Sequence, residues 1–198
     1  MYLGLTLDDI RQHFVTAQDE TEITIEALSE CLIETISNSA QLKNADDIVF
    51  YIECITEELQ GFRNIFDRLI EELPKAVEEK HYEMLLEIAE YAKNLDEVCL
   101  EFKRQHLEDP LKDESMRWLL DRIYKESRSQ MLAYRSLFNL AMNLKTFVGT
   151  PESDRSLSID DLDILELKPN IFGIGLNLNY LIKRLSQWLK RLSGQRSE

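Results

Sequence analysis

The residues of this sequence that could do metal or acid–base chemistry are its three histidines and its 37 Asp and Glu residues. Helical di-iron proteins place Glu-x-x-His on two helices, because residues i and i+3 face the same cavity. Glu78-x-x-His81 is one such pair, whereas neither His13 nor His106 follows an acidic residue at that spacing. A single pair is expected by chance in a chain this rich in Glu. We therefore predict no metal site and expect His81 to lie in a helix seam or at the surface.

Other motifs that indicate catalysis are incomplete or missing from the sequence. Glu87-x-x-Glu90 matches half of the magnesium motif of the all-α MazG-type pyrophosphatases, but no Glu-x-x-Asp follows it. No histidine has an arginine ahead of it at the spacing that HEPN ribonucleases use. The HExxH zinc motif, the phosphate loop GxxxxGK[ST] and the GxSxG nucleophile elbow are also missing. We predict no catalytic residue, no cofactor and no enzymatic activity. A metal held by clustered Glu residues is the enzymatic alternative.

Composition limits the class of protein. The chain has 198 residues, of which 44% are hydrophobic and 30% charged, with only 6 Gly and 4 Pro. This supplies enough apolar surface for a core and too few turn formers for a typical all-β fold. Cys31, Cys54 and Cys99 are odd in number and far apart, so we expect buried thiols in a reducing compartment. We find no signal-peptide pattern and no run near the ~20 apolar residues of a transmembrane helix, and we predict a cytoplasmic protein.

Apolar residues recur at helical steps along most of the chain. The clearest run alternates steps of four and three, a repeat typical of helical bundles and coiled coils. Its members are Ile48, Ile52, Ile55, Leu59, Phe62, Phe66, Leu69 and Leu73. The next run keeps the same alternation through Val77, His81, Met84, Ile88, Tyr91, Leu95, Val98 and Phe102. These runs predict two long helices.

Breaks in the apolar pattern separate or bend the predicted helices. Thr6 is the predicted N-cap of the first helix, and the polar stretch 18–21 separates it from a second helix with an apolar face at Ile25, Leu28, Leu32 and Ile36. Pro74 predicts a tight turn or a kink. Residues 125–130 interrupt the seam of a helix spanning about 113–148, which favours an exposed or bent stretch or, alternatively, a polar layer facing a partner or ligand. We predict an elongated antiparallel bundle of about five main helices, paired within one chain or, alternatively, between two.

Charge is unevenly distributed along the chain. The net charge is −14, but residues 168–198 contain six Lys or Arg and one acidic residue, so they carry +5 and the remainder carries −19. An acidic body repels phosphates, so nucleic acid is not an expected partner. We predict an acidic bundle over 1–148, a linker with a short acidic helical turn over 149–168, and a basic amphipathic C-terminal helix over 169–198.

The predicted C-terminal helix, which we call the tail, carries the predicted contact residues. Its apolar face comprises Leu178, Leu181, Ile182, Leu185, Trp188 and Leu189, and Leu192 continues it. Lys183, Arg184, Lys190 and Arg191 lie on the opposite face. Gly173 and Gly175 form a possible hinge or allow close packing at the helix start. Such a helix packs on its own bundle, docks on a protein partner or lies on an anionic membrane.

Four functions are therefore open at this point. The first is a non-catalytic helical module that binds a protein partner, as an adaptor, accessory subunit or regulator of a larger complex. The second is a peripheral membrane protein anchored by the tail. The third is an acidic mimic of nucleic acid, and the fourth is a metal-dependent enzyme without a recognised motif. We expect the first, because long amphipathic helices bind other helices and no catalytic motif is complete.

Overall fold

The computed structural model describes residues 6–73, 77–109 and 113–148, and these residues are all-α, as predicted. No strand occurs within these ranges. The helices are α1 (Leu7–Ser37), α2 (Ala45–Glu72), α3 (Glu79–His106), α4 (Arg117–Arg135) and α5 (Leu137–Lys145), with 3-10 turns at Ser39–Gln41 and Glu114–Met116. Pro74, the predicted linker and the predicted tail lie outside the described residues. None of the helices in these ranges is long and apolar enough to cross a membrane.

The first helix begins at a capping box, as the sequence predicted for Thr6. The Thr6 hydroxyl accepts a hydrogen bond from the Asp9 backbone N–H at 3.2 Å, and the Asp9 carboxylate accepts one from the Thr6 backbone N–H at 2.8 Å. Two N–H groups that lack helical partners are thereby satisfied. The Thr6 hydroxyl also donates to the Asp9 carboxylate at 2.7 Å, and this bond and then the one from the Thr6 backbone N–H lower the pKa of Asp9.

The predicted break between the first two helices is wrong, because α1 is continuous for 31 residues. Its buried face follows the four–three alternation without interruption, but threonines occupy three of the positions. Buried residues of this face are Ile10, Phe14, Thr21, Thr24, Leu28, Cys31 and Thr35. The predicted face is displaced as a result: Leu28 is buried, whereas Ile36 is exposed. Threonine tolerates this position because its hydroxyl can bond a carbonyl one turn earlier, as Thr35 does with Cys31 at 2.7 Å.

The two long heptad runs are confirmed as buried faces. All eight apolar residues of the α2 run are buried, and seven of the eight in the second run are buried, with Val77 half-buried. All three cysteines are buried free thiols, as predicted. Burial raises the pKa of Cys99 to about 12, so this thiol behaves as a small apolar group.

The predicted helix over 113–148 is divided at Ser136. The Ser136 backbone N–H donates to the Ala133 carbonyl at 3.0 Å, and its hydroxyl donates to the same oxygen at 2.6 Å. This three-residue spacing tightens the turn, and a side chain competing for a helical carbonyl favours such a change. The buried face of α5 therefore differs from the predicted one. Ala141 and Leu144 are buried as predicted, but Phe138 is exposed.

Side-chain contacts establish how the helices run. In α1 and α2, Gln18 pairs with Asp67 while Glu22 pairs with Arg63, so the two helices are antiparallel. In α1 and α4, Thr24 pairs with Gln130 and Glu30 with Arg122, so these helices are also antiparallel. The same holds for α3 and α4, where Asp96 meets Arg128 and Lys103 lies over the Tyr124 ring. α3 also packs on α5. The α2 and α3 backbones stay farther apart than those of these pairs. Large side chains bridge them, including Tyr51 and Phe102, whose ring centres are 4.3 Å apart.

Candidate functional site

The sequence-predicted contact residues lie outside the described residues. This holds for the apolar tail positions, for the four basic tail positions and for the hinge glycines. Their assignment as a partner or membrane contact stays a prediction. Within 6–148 the structure instead presents four features that bear on function: a cap at His81, a polar layer between α1 and α4, a buried carboxyl between α2 and α3, and exposed isoleucines on α1.

His81 caps a helix. Its Nδ1 accepts a hydrogen bond from the Glu78 backbone N–H at 3.0 Å, so the ring proton sits on Nε2, 3.1 Å from the Glu72 carboxylate. The Glu78-x-x-His81 spacing therefore serves the start of α3 and ties it to the end of α2. Among the described residues, no group of three or more His, Cys, Asp or Glu is arranged to hold a metal.

Glu72 forms ion pairs with basic residues where the end of α2 meets the start of α3. Lys80 Nζ lies 2.9 Å from its carboxylate, and Arg68 lies 3.5 Å away along α2. Hydrogen bonds from Lys80 and then from His81 lower the pKa of Glu72 to about 2. The carboxylate is therefore ionised at any physiological pH and holds the two helix ends together across residues 74–76.

The interruption at 125–130 is a buried polar layer between α1 and α4, which we call the α1–α4 polar layer (Thr21, Thr24, Gln130 and Tyr134). The Thr21 hydroxyl donates to the Ala17 carbonyl at 2.6 Å, so the Tyr134 hydroxyl donates to Thr21. The Thr24 hydroxyl hydrogen is shared between the Glu20 carbonyl at 3.0 Å and the Gln130 side-chain oxygen at 3.2 Å. The Gln130 amide nitrogen donates to Thr21 at 3.3 Å. The prediction of an exposed or bent stretch is wrong for Ser127 and Gln130, which are buried. The polar side chains face another helix of the same chain.

A groove of about 450 Å³ opens beside the polar layer, between α1 and α5. Gln130, Ala133 and Tyr134 of α4 contribute to its lining, and the α1 side supplies His13 and Glu20. The amides of Asn139 and Asn143 line the α5 side. Pockets of this size accommodate a small molecule or a protruding side chain. These hydrogen-bonding groups and one carboxylate suit a polar occupant.

The buried carboxyl is that of Glu58 on α2, which is only 3% exposed. Burial raises the pKa of Glu58 to about 7, the Tyr91 hydroxyl on α3 opposes the rise, and Glu57 adds to it. Burial, followed by the charge of Glu58, likewise raises the pKa of Tyr91. We call this contact the α2–α3 seam, defined by Tyr51, Glu58, Phe62, Tyr91 and Phe102.

The other buried acid, Asp96 on α3, has a different environment. Arg128 Nε donates to one carboxylate oxygen at 3.0 Å, and Arg135 donates to the other at 3.2 Å. Two guanidinium groups of α4 thus neutralise it. A buried acid that is bonded to two guanidinium groups has its charge compensated, and Glu58 has no such partner among the described residues.

Three isoleucines on α1 point into solvent. Ile33 is 66% exposed and Ile36 is 57% exposed, and they lie three residues apart, one helical turn. Ile23 is 63% exposed. Leu28, Leu32 and Ile36 follow one another at steps of four, so the sequence pattern predicted that Ile36 lies in the core. This prediction is wrong, because Ile36 is exposed. Thr21, Thr24 and Thr35 occupy the buried positions of α1 instead, so the isoleucines lie on its exposed side.

Comparison with known proteins gives no further assignment. No family model matches the chain, and neither the curated proteins nor the solved structures contain a match to it.

Proposed function

We propose that this chain is a non-catalytic helical module that binds a protein partner, as an adaptor, accessory subunit or regulator of a larger complex. The observation that carries the proposal is the exposed pair Ile33 and Ile36 on α1. The proposed complete architecture is an elongated antiparallel bundle of about five helices with the tail as a further, C-terminal helix.

Neither helix formation nor core packing explains these two isoleucines. Isoleucine is a poorer helix former than Ala, Leu, Lys or Glu, because its branched β-carbon loses rotamer freedom. Its apolar surface contributes to folding only when buried, at about 25 cal/mol per Å². At more than half exposure, Ile33 and Ile36 gain little of that energy within the chain. A partner that covers them would recover it.

The tail sequence supports the same function. Its seven large apolar residues share one helical face, and an amphipathic helix of this kind binds an apolar groove through anchors at i, i+3, i+4 and i+7. The basic residues on the opposite face add charge complementarity toward an acidic partner. Leu181, Leu185 and Leu189 are the anchors whose replacement by Asp should disrupt this binding most.

Affinity purification with matched variants tests the proposal. The full-length chain is compared with the double variant Ile33→Asp/Ile36→Asp and with Gln12→Asp, an exposed position near the other end of α1. We expect a partner that binds the wild type and Gln12→Asp when reconstituted from purified components, with at least about tenfold weaker binding to the double variant, a change of about 1.4 kcal/mol. The substitutions are at exposed sites, so circular dichroism should show unchanged helicity. Equal binding by all three would contradict the role of this surface.

The tail also favours a second function, a peripheral membrane anchor, because basic amphipathic helices bind anionic lipid surfaces. Flotation with anionic and with neutral liposomes separates the two functions. Binding to anionic liposomes alone, lost at high salt and in a variant with Lys183, Arg184, Lys190 and Arg191 changed to Glu, would favour the anchor. Absence of flotation with both liposomes would favour the protein partner. The acidic mimic and the metal-dependent enzyme rank below these two.

A further inference from the structure

Glu58 occupies a position in the α2–α3 seam that an apolar residue would normally fill. It lies seven residues after Tyr51 and four before Phe62, so all three share one face of α2. Tyr51 stacks on Phe102, and Phe62 meets Tyr91 edge to face with ring centres 5.9 Å apart. The carboxyl group is therefore placed between the two aromatic pairs that bridge α2 and α3.

Among the residues that the structure describes, the groups that act on Glu58 include no cation. Its pKa responds to Tyr91 from α3 and to Glu57 on its own helix, and both are acidic groups. Cys54, one turn earlier on α2, acts on Tyr91 and is also acidic. From α4, the arginines 128 and 135 are engaged by Asp96 on α3. Tyr134 of α4 contacts Phe62 and donates its hydroxyl hydrogen to Thr21.

Few close backbone approaches join α2 to α3. α1 packs closely on α2 and on α4, and α3 packs closely on α4 and α5, while α2 and α3 meet mainly through side chains. Separation of α2 from α3 would therefore break few backbone-to-backbone approaches. It would bring water to the carboxyl of Glu58 and to the aromatic rings beside it.

We propose that Glu58 is a pH-responsive latch, which closes the α2–α3 seam when its carboxyl group is protonated and loosens the seam when the proton is lost. Ionisation places a charge among aromatic rings without a cation, and a charge in such surroundings is strongly disfavoured. Opening relieves this cost, because water then solvates the carboxylate. The inference is independent of the proposed partner-binding function.

Hydrogen exchange of the intact protein at about pH 6 and about pH 8 tests the latch. With a pKa of about 7 in the closed seam and an ordinary value near 4.5 in the open one, the open fraction rises about tenfold over this interval. After correction for intrinsic exchange rates, amides in 51–62 and 91–102 should lose protection by that factor. Amides of α1 and α4 around the polar layer should not.

Two matched variants give the experiment its contrast. Glu58→Gln keeps the shape of the side chain without the titration, so we expect its α2 and α3 protection to be the same at both pH values. Glu53→Gln changes an exposed residue of the same helix that does not act on the Glu58 carboxyl, and it should retain the wild-type tenfold loss. Equal protection of wild-type α2 and α3 at both pH values would overturn the proposal. So would a loss that persists in Glu58→Gln.

Discussion

The α1–α4 polar layer and the α2–α3 seam both bury polar groups, but the partners of those groups differ. In the polar layer the hydroxyls of Thr21 and Tyr134 and the amide of Gln130 bond to one another, and Thr21 also bonds a backbone carbonyl. In the seam, Glu58 is buried, and the groups that act on its carboxyl are Tyr91 and Glu57. The first interface is neutral at every physiological pH, whereas the second changes its charge.

This difference shows what each interface contributes. A satisfied polar layer fixes the register of two helices, since a shift would leave buried donors without acceptors. A carboxyl without a cation instead makes the stability of its interface depend on pH. The polar layer therefore joins α1 to α4 permanently, and the seam is the side on which the bundle can respond to its environment.

The largest effect is expected at Phe62, because its ring touches Tyr91 of the seam and Tyr134 of the polar layer. Replacing it with Ala leaves a cavity and should lower the free energy of unfolding by about 3–5 kcal/mol. Phe138→Ala is the control, since that ring is exposed and its loss should cost less than about 1 kcal/mol. Urea denaturation measures both. Similar losses for the two variants would contradict the packing described here.

The next largest effect concerns Glu58→Gln and depends on pH. The folded-state pKa of Glu58 lies above its ordinary value of 4.5, so the folded protein binds the extra proton. Wild-type stability should therefore fall as pH rises from about 4.5 to about 7, by about 3 kcal/mol, and be constant outside that window. Glu58→Gln should abolish this part of the pH dependence and be more stable than the wild type above pH 7. An unchanged profile would show that the seam solvates the carboxylate.

A double-mutant cycle in the polar layer should give a smaller effect that is independent of pH. Tyr134→Phe and Thr21→Val each leave a partner in the buried network unsatisfied, so each should cost about 1–2 kcal/mol. The double variant should cost less than the sum of the two, because each single change already breaks the shared hydrogen bond. Additive losses would mean that the two hydroxyls act separately.

The smallest effect is expected for the exposed ion pair that spans the same two helices. Arg122 reaches Glu30 at 2.6 Å, and the Glu30 side chain is 65% exposed and that of Arg122 37%. Arg122→Ala should change the free energy of unfolding by less than about 1 kcal/mol, and less still in high salt. A loss as large as that of Tyr134→Phe would show that surface charge, rather than the polar layer, joins α1 to α4.

The sequence predicted the apolar part of this fold well. Every apolar residue of the α2 heptad run is buried, and the N-cap is at Thr6. These features follow from local rules: apolar side chains at helical spacing and a hydroxyl that caps free N–H groups. They require no knowledge of what lies opposite.

The polar positions could not be assigned in the same way. Thr21 and Thr24 are buried because Tyr134 and Gln130 lie across from them, more than a hundred residues later in the chain. Glu58 is buried because Tyr91 faces it on another helix. A search for apolar residues at helical spacing assigns these polar positions to a helix break or to the exposed surface. The four–three alternation that continues through Thr21, Thr24 and Thr35 was the available signal.

The protonation of Glu58 in the folded protein tests the account most directly. Carbon-13 NMR of the side-chain carboxyl, in intact protein labelled at Glu, follows this group from about pH 4 to about pH 8. We expect a midpoint near 7 for Glu58, well above the 4.5 of an ordinary Glu. A midpoint near 4.5 in the folded protein would contradict the account, because the α2–α3 seam would then accept a charge without opening.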